Sequence, residues 1–170
     1  MSGYQRPSAE LVARVALEKH GFHHSHALGQ NSILDEAFLG HLLDAAEIAP
    51  ADNVLEIGPG AGVMTALLSE RAGRVLAVEL DRRLFPVLEE VLEGRDHVDL
   101  VNRDFLRADD MDDLLRESFG DGKYRVVANL PYYITADILL KLTGSMRQPE
   151  SICIMVQKEA AERVMSQPGS

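Results

Sequence analysis

The run Asn53-Val54-Leu55-Glu56-Ile57-Gly58-Pro59-Gly60-Ala61-Gly62 constrains this chain more than any other stretch. An apolar strand feeds straight into glycines at alternate positions, and a helical pattern follows over residues 63–72. A Cβ at Gly58, Gly60 or Gly62 would block both the sharp turn and the close approach of a ligand to the backbone, so the stretch reads as a nucleotide cradle. A dinucleotide fingerprint asks for Gly or Ala at its last position, which falls here on Val63, and the nicotinamide reading weakens accordingly. Glu56 stands just ahead of the first glycine and completes E-x-G-x-G-x-G.

Strand and helix patterns alternate from residue 53 onward. Apolar runs predict strands near 53–57, 74–79, 98–101, 124–128 and 151–156. Helical spacing predicts helices near 63–72, 83–93, 110–118, 135–143 and 158–165. This alternation is the signature of an α/β, doubly wound, mainly parallel sheet. Runs such as Val126-Val127-Ala128 and Ile152-Cys153-Ile154-Met155-Val156 lack polar alternation, as expected when helices cover both faces. Pro86 implies either a late start or a bend in its helix. Ahead of the sheet, Ser8 caps a first helix that ends near Gly21, and Asp35 caps a second helix carrying Phe38, Leu39, Leu42, Leu43 and Ala46. The second helix is expected to pack on the sheet.

A chain of 170 residues, 46% hydrophobic and 26% charged, has room for one domain with a real core. It contains no apolar run of membrane-spanning length and begins without a signal-peptide pattern, so a cytoplasmic location is expected. Cys153 is the single cysteine and reads as a small buried hydrophobe. His20, His23, His24 and His26 lie close together, but without nearby cysteines or acids they read as a solvated linker and not as a metal site. The net charge of −10 has the wrong sign for a chain devoted to gripping phosphates. That charge is uneven: seven acids fall within residues 104–121, while Arg6, Arg14, Lys19 and four histidines dominate residues 1–28.

The E-x-G-x-G-x-G pattern resembles that of S-adenosylmethionine-dependent methyltransferases. In doubly wound sheets ligands sit beyond the carboxyl ends of the strands, so the residues there are the candidates. Glu79 ends the second predicted strand, where a carboxylate accepts hydrogen bonds from both hydroxyls of a ribose. Asp104 and Phe105 follow the third, a carboxylate for an adenine amino group beside an aromatic that packs on a ring. The fourth ends in Asn129-Leu130-Pro131-Tyr132. An adenine amino nitrogen spreads its lone pair into the ring and is a poor nucleophile. Accepting its two hydrogens on the Asn129 side-chain oxygen and on a backbone carbonyl of Leu130 or Pro131 favours a pyramidal nitrogen able to attack a methyl sulfonium. Pro131 fixes the backbone and biases Leu130 toward an extended conformation. Tyr132 offers a stacking face, and base stacking contributes roughly 1 to 3 kcal/mol, comparable with the cost of unstacking a target base.

Taken together, these motifs resemble the rRNA adenine dimethyltransferases of the small ribosomal subunit. Gly29-Gln30-Asn31, Val78-Glu79-Leu80-Asp81, Asp104-Phe105-Leu106, Asn129 with the three residues after it, and Val156-Gln157-Lys158-Glu159 fall in the family's order. The resemblance implies a Rossmann-like methyltransferase domain over residues 1–170, of which 1–52 form an N-terminal helical arm and lid. It implies that Gln30, Asn31, Ile33 and Gly58 contact S-adenosylmethionine, with Glu79 on its ribose, Asp104 on its adenine and Asn129 shared with the target base. It also implies transfer of methyl groups to two adjacent adenines near the 3′ end of small-subunit rRNA, within a pre-ribosomal subunit. Ser32 departs from the family's usual Phe in the lid segment. Family members continue past residue 170 with further strands and a small helical domain, so the chain is expected to be truncated at its C-terminal end. In that case residues 151–156 form an apolar sheet edge through which the chain would self-associate.

Two further readings are open. One is the large-subunit relative that confers macrolide resistance, against which Gln30-Asn31 and Leu130 speak. The other is a non-catalytic assembly or transcription factor that keeps the cofactor pocket, against which the intact Asn129, Pro131 and Tyr132 speak. A DNA adenine methyltransferase would more typically carry Asp-Pro-Pro-Tyr where this chain has Asn129-Leu130-Pro131-Tyr132.

Overall fold

A computed structural model describes residues 5–22 and 34–156. Two helices come first, and each opens on a side-chain cap. In α1 (Ala9–Lys19) the Ser8 hydroxyl accepts from the Leu11 amide at 3.2 Å, and in α2 (Glu36–Ala45) the Asp35 carboxylate accepts from Phe38 at 3.1 Å. The two N-termini are also tied to each other. The Ala9 amide donates to Glu36 Oε1 at 2.8 Å, and the Glu36 amide donates to Glu10 Oε2 at 3.4 Å. Carboxylates placed there satisfy amides that a helix leaves without partners and complement its dipole.

The sheet contains β1 (Asn53–Ile57), β2 (Arg74–Glu79), β3 (Val98–Asn102), β4 (Arg125–Leu130) and β5 (Ile152–Val156). All neighbours run parallel, in the order β3-β2-β1-β4-β5. The remaining described helices are α3 (Val63–Arg71), α4 (Phe85–Val91), α5 (Met111–Phe119) and α6 (Tyr132–Gly144). Alternate strand residues serve two separate cores, as a period of two requires. Val54, Val75 and Val127 face a core shared with α1 to α4, whereas Leu55, Leu76 and Val126 face one closed by α5 and α6.

The predicted strands all form. Pro86 resolves as a late helix start: a 3₁₀ turn (Arg82–Leu84) leads into α4, which places the proline in its first turn, where a missing amide does no harm. The helix predicted near 135 begins earlier, at Tyr132 directly after Pro131, for the same reason. Two local expectations need correcting. The second helix reaches the core through Leu39 and Leu43 by packing on α3, and Phe38 stays exposed. Cys153 is only partly buried, because among the described residues β5 is an edge strand. The helix expected at 158–165, and His23, His24 and His26, lie outside the described residues. No described helix is long and apolar enough to cross a membrane.

Candidate cofactor and target-base site

The chain passes from β1 outward through β2 to β3, then returns to the other side of β1 with β4. The strand order therefore reverses between β1 and β4, the place where such sheets open a crevice. Register sets the site at one height. Ile57 is paired with Val78 on one side and with Ala128 on the other, so the next residues, Gly58, Glu79 and Asn129, end three adjacent strands at a common level. Glu79 is itself opposite Asn102, which brings Arg103 and Asp104 just beyond it.

A cleft of about 400 Å³ opens there, within the range of small-molecule sites. Gly58, Gly60, Glu79, Asp104, Phe105, Asn129, Leu130 and Pro131 all line it. Tyr132 stands outside this lining, 53% exposed, and Tyr133 occupies the wall beside Pro131, 80% exposed. Gln30, Asn31 and Ile33 lie outside the described residues. Leu80, Arg103 and Ile134 also line the cleft and were not singled out from the sequence. For Leu80 a signal existed: a large apolar side chain directly after a strand-end acid, which the fold leaves 64% exposed.

Backbone geometry explains the glycines. Gly58 has φ +77°, and a Cβ there would lie 3.2 Å from the Asn129 carbonyl oxygen, so any larger residue would press β1 and β4 apart at the cleft floor. Gly62 has φ +89°, and its Cβ would come within 2.9 Å of Leu88 Cδ2, because α3 starts hard against α4.

Both oxygens of the buried Glu79 carboxylate are held by backbone amides. Gly60 donates to Oε1 at 3.0 Å and Asp81 donates to Oε2 at 2.8 Å. A carboxylate oxygen accepts more than one hydrogen bond, so this clamp orients the group and leaves capacity toward the cleft. Burial pushes the Glu79 carboxyl above its usual range, against the lowering effect of those amides. Beneath the loop Glu56 is fully buried, and Thr65 Oγ1 donates to its Oε1. Burial pushes its carboxyl up to about 8, the Thr65 hydrogen bond works the other way, and the charge of Glu79 adds to the rise. Glu56 thus holds its proton at neutral pH, and the carboxylate charge at the floor is that of Glu79, which lines the cleft.

At the opposite wall the Pro131 carbonyl accepts from the Ile134 amide and the Thr135 hydroxyl, each at 3.2 Å. Those bonds turn the Pro131 carbonyl into the first turn of α6. The Asp104 side chain accepts from the Leu106 amide at 3.1 Å, and its backbone carbonyl accepts from Arg107 and Ala108, so residues 104–108 form a tight turn. Among the described residues no group of three or more His, Cys, Asp or Glu is placed to hold a metal ion.

The chain is 44% identical over 158 residues to a ribosomal RNA small subunit methyltransferase A from Ligilactobacillus salivarius, a match covering 92% of this chain and 53% of that protein. It is 38% identical over 165 residues to the protein of the same name from Alkaliphilus oremlandii, covering 97% and 57%. The chain thus spans about half the length of the curated relatives it matches. Its fold is similar to the crystal structure of a dimethyladenosine transferase from Plasmodium falciparum, with a TM-score of 0.60 and 27% identity over 80% of this chain and 46% of that one. It is equally similar to the crystal structure of the 23S rRNA methyltransferase ErmE, with a TM-score of 0.59 and 30% identity over 75% and 48%. Residues 21–170 match the ribosomal RNA adenine dimethylase family, to which this chain belongs.

Proposed function

We propose that this chain carries the cofactor and target-base sites of a cytoplasmic enzyme that methylates two adjacent adenines near the 3′ end of small-subunit rRNA, with S-adenosylmethionine as methyl donor. The observation that carries this reading is the convergence of Gly58, Glu79 and Asn129 at one level of the sheet, around a single cleft. The residues fit an adenosyl sulfonium. The Gly58 turn leaves room at the floor that a Cβ would fill, the clamped Glu79 carboxylate suits a ribose diol, and exposed Leu80 and buried Phe105 supply apolar faces for a purine near Asp104. The Glu79 carboxylate also favours the sulfonium charge. When bound, the donor supplies an electrophilic methyl group. Asn129 and the Leu130 carbonyl then receive the two hydrogens of the adenine amino group and aim its lone pair into the cleft, while Tyr133 or Tyr132 stacks on the base. Positioning and the electrostatics of developing charge account for the acceleration. The described part of the N-terminal arm, α1 and α2, packs against α3 and α4 and contributes no residue to the cleft lining.

The test is primer extension across rRNA from a strain lacking the gene. Loss of the adjacent modified adenines in small-subunit rRNA, restored by the wild-type gene and not by an Asn129→Ala copy, supports the assignment. Unchanged small-subunit rRNA with a lost stop in large-subunit rRNA would favour the second reading, for which the similarity to ErmE speaks.

A further inference from the structure

We infer that Lys141 is a positioning residue that holds the turn bearing Asp104 and Phe105 in the shape needed to recognise the adenine of the methyl donor. The inference rests on the adenosine reading of the cleft given above. Lys141 sits on α6, the helix whose first turn follows Asn129-Leu130-Pro131, and reaches back across the second core to the turn after β3. Its ammonium donates to the Phe105 carbonyl and to the Ala108 carbonyl, the latter at 2.7 Å, and lies 4.9 Å from the centre of the Phe105 ring. A lysine ammonium has three donors and no acceptor, so two backbone carbonyls fix the turn and a ring face completes its surroundings.

Phe105 is the shared wall between two cavities. One is the cleft that holds Glu79 and Asn129; the other, of about 370 Å³, lies behind it between α5 and α6 and is lined by Ala108, Asp112, Tyr124 and Lys141. Phe105 is buried in the second core, and Lys141 meets its ring and its carbonyl from the side away from the cleft. The ends of the segment are clasped independently: Arg103 Nη2 meets Asp110 Oδ2 at 3.0 Å. With its ends fixed there and its middle fixed by Lys141, the turn presents the Asp104 carboxylate, which itself accepts from Leu106, toward the cleft. One helix thereby follows directly on the target-base motif and also carries the support of the adenine turn, so both halves of the site are tied to α6.

Titration of the whole chain with S-adenosylhomocysteine and with S-inosylhomocysteine, which lacks the amino group that Asp104 accepts from, tests this. Wild type should bind the adenosyl compound more tightly. Lys141→Met keeps the apolar stem and removes the donors; it should weaken adenosyl binding about tenfold, the scale of one hydrogen bond to a charged group, while inosyl binding changes little. Lys141→Arg should restore part of the preference. If Lys141→Met does not fold, Lys141→Leu, which also has no donor, is read the same way. Equal weakening of both ligands, or an unchanged preference in a folded variant, overturns the positioning role. Failure of wild type to bind either compound overturns the adenosine reading itself.

Discussion

Thr65 and Glu56 form a fully buried pair beneath the glycine loop, the hydroxyl donating to the carboxyl. Burial pushes the Glu56 carboxyl up to about 8, whereas in an unfolded chain it titrates in the ordinary carboxylate range near 4.5. The native state therefore binds more protons across this window, and stability falls as pH rises through it, by at most about 1.4 kcal/mol per pH unit for one group. Glu79, also raised, contributes with the same sign. The lowered carboxyls of Asp81 and Asp110 act in the opposite sense, losing stability only as pH falls below the usual carboxylate range. Glu56→Gln should flatten the decline, measured by urea unfolding at pH 5.5 and pH 8. Parallel profiles for variant and wild type would remove Glu56 as its source.

Glu79→Ala should weaken S-adenosylmethionine binding by roughly 1.5 to 3 kcal/mol, the range for hydrogen bonds to a charged acceptor. It also frees the Gly60 and Asp81 amides that the carboxylate now holds. Calorimetry on a folded variant decides the matter, and an unchanged affinity takes Glu79 out of the site.

In the intact enzyme, Asn129→Ala should slow methylation far more than it weakens RNA binding, because its side-chain oxygen matters most as the amino nitrogen becomes pyramidal. Single-turnover rates set beside RNA affinity give the comparison. Equal losses in both would leave Asn129 a binding residue only.

Gly62→Ala should destabilise the fold by about 1 to 3 kcal/mol, since a Cβ there meets Leu88 and the backbone is left-handed. The midpoint of urea unfolding reads this directly, and an unshifted midpoint contradicts the close approach of α3 to α4.

Self-association through the β5 edge remains our expectation, and Val156→Lys should reduce it. Val156 is 46% exposed, so the change need not disturb the core, and a charge on an edge strand opposes pairing with another chain. Light scattering over a concentration series checks it; identical particle sizes for both proteins would count against that edge.

The strands were legible because parallel strands are continuous apolar runs, and the residues that end them are the ones a crevice can reach; their order in the sheet was not. Glu79, Asp104 and Asn129 were singled out in that way, and all three line the cleft. What was not legible depends on contacts between distant segments. No local pattern shows that Lys141 reaches the carbonyls of Phe105 and Ala108, or that the Glu56 carboxyl is fully enclosed. The place taken by Tyr133 beside Pro131 follows from where α6 begins. A helix turns about 100° per residue, so a start three residues early changes which tyrosine borders the cleft.

The central position of β1 shapes how the chain is made. Its partner on one side, β2, emerges soon after it, but β4 arrives much later: the Asn53 side chain bonds the Lys123 carbonyl across 70 residues of sequence. At a synthesis rate of roughly 5 to 20 residues per second, one flank of β1 waits about 4 to 14 seconds for its neighbour. Until α6 follows β4, only α5 can begin to cover Leu55 and Leu76 on the half-built sheet of β1, β2 and β3, and that unfinished apolar face is open to chaperones or to other copies of the chain.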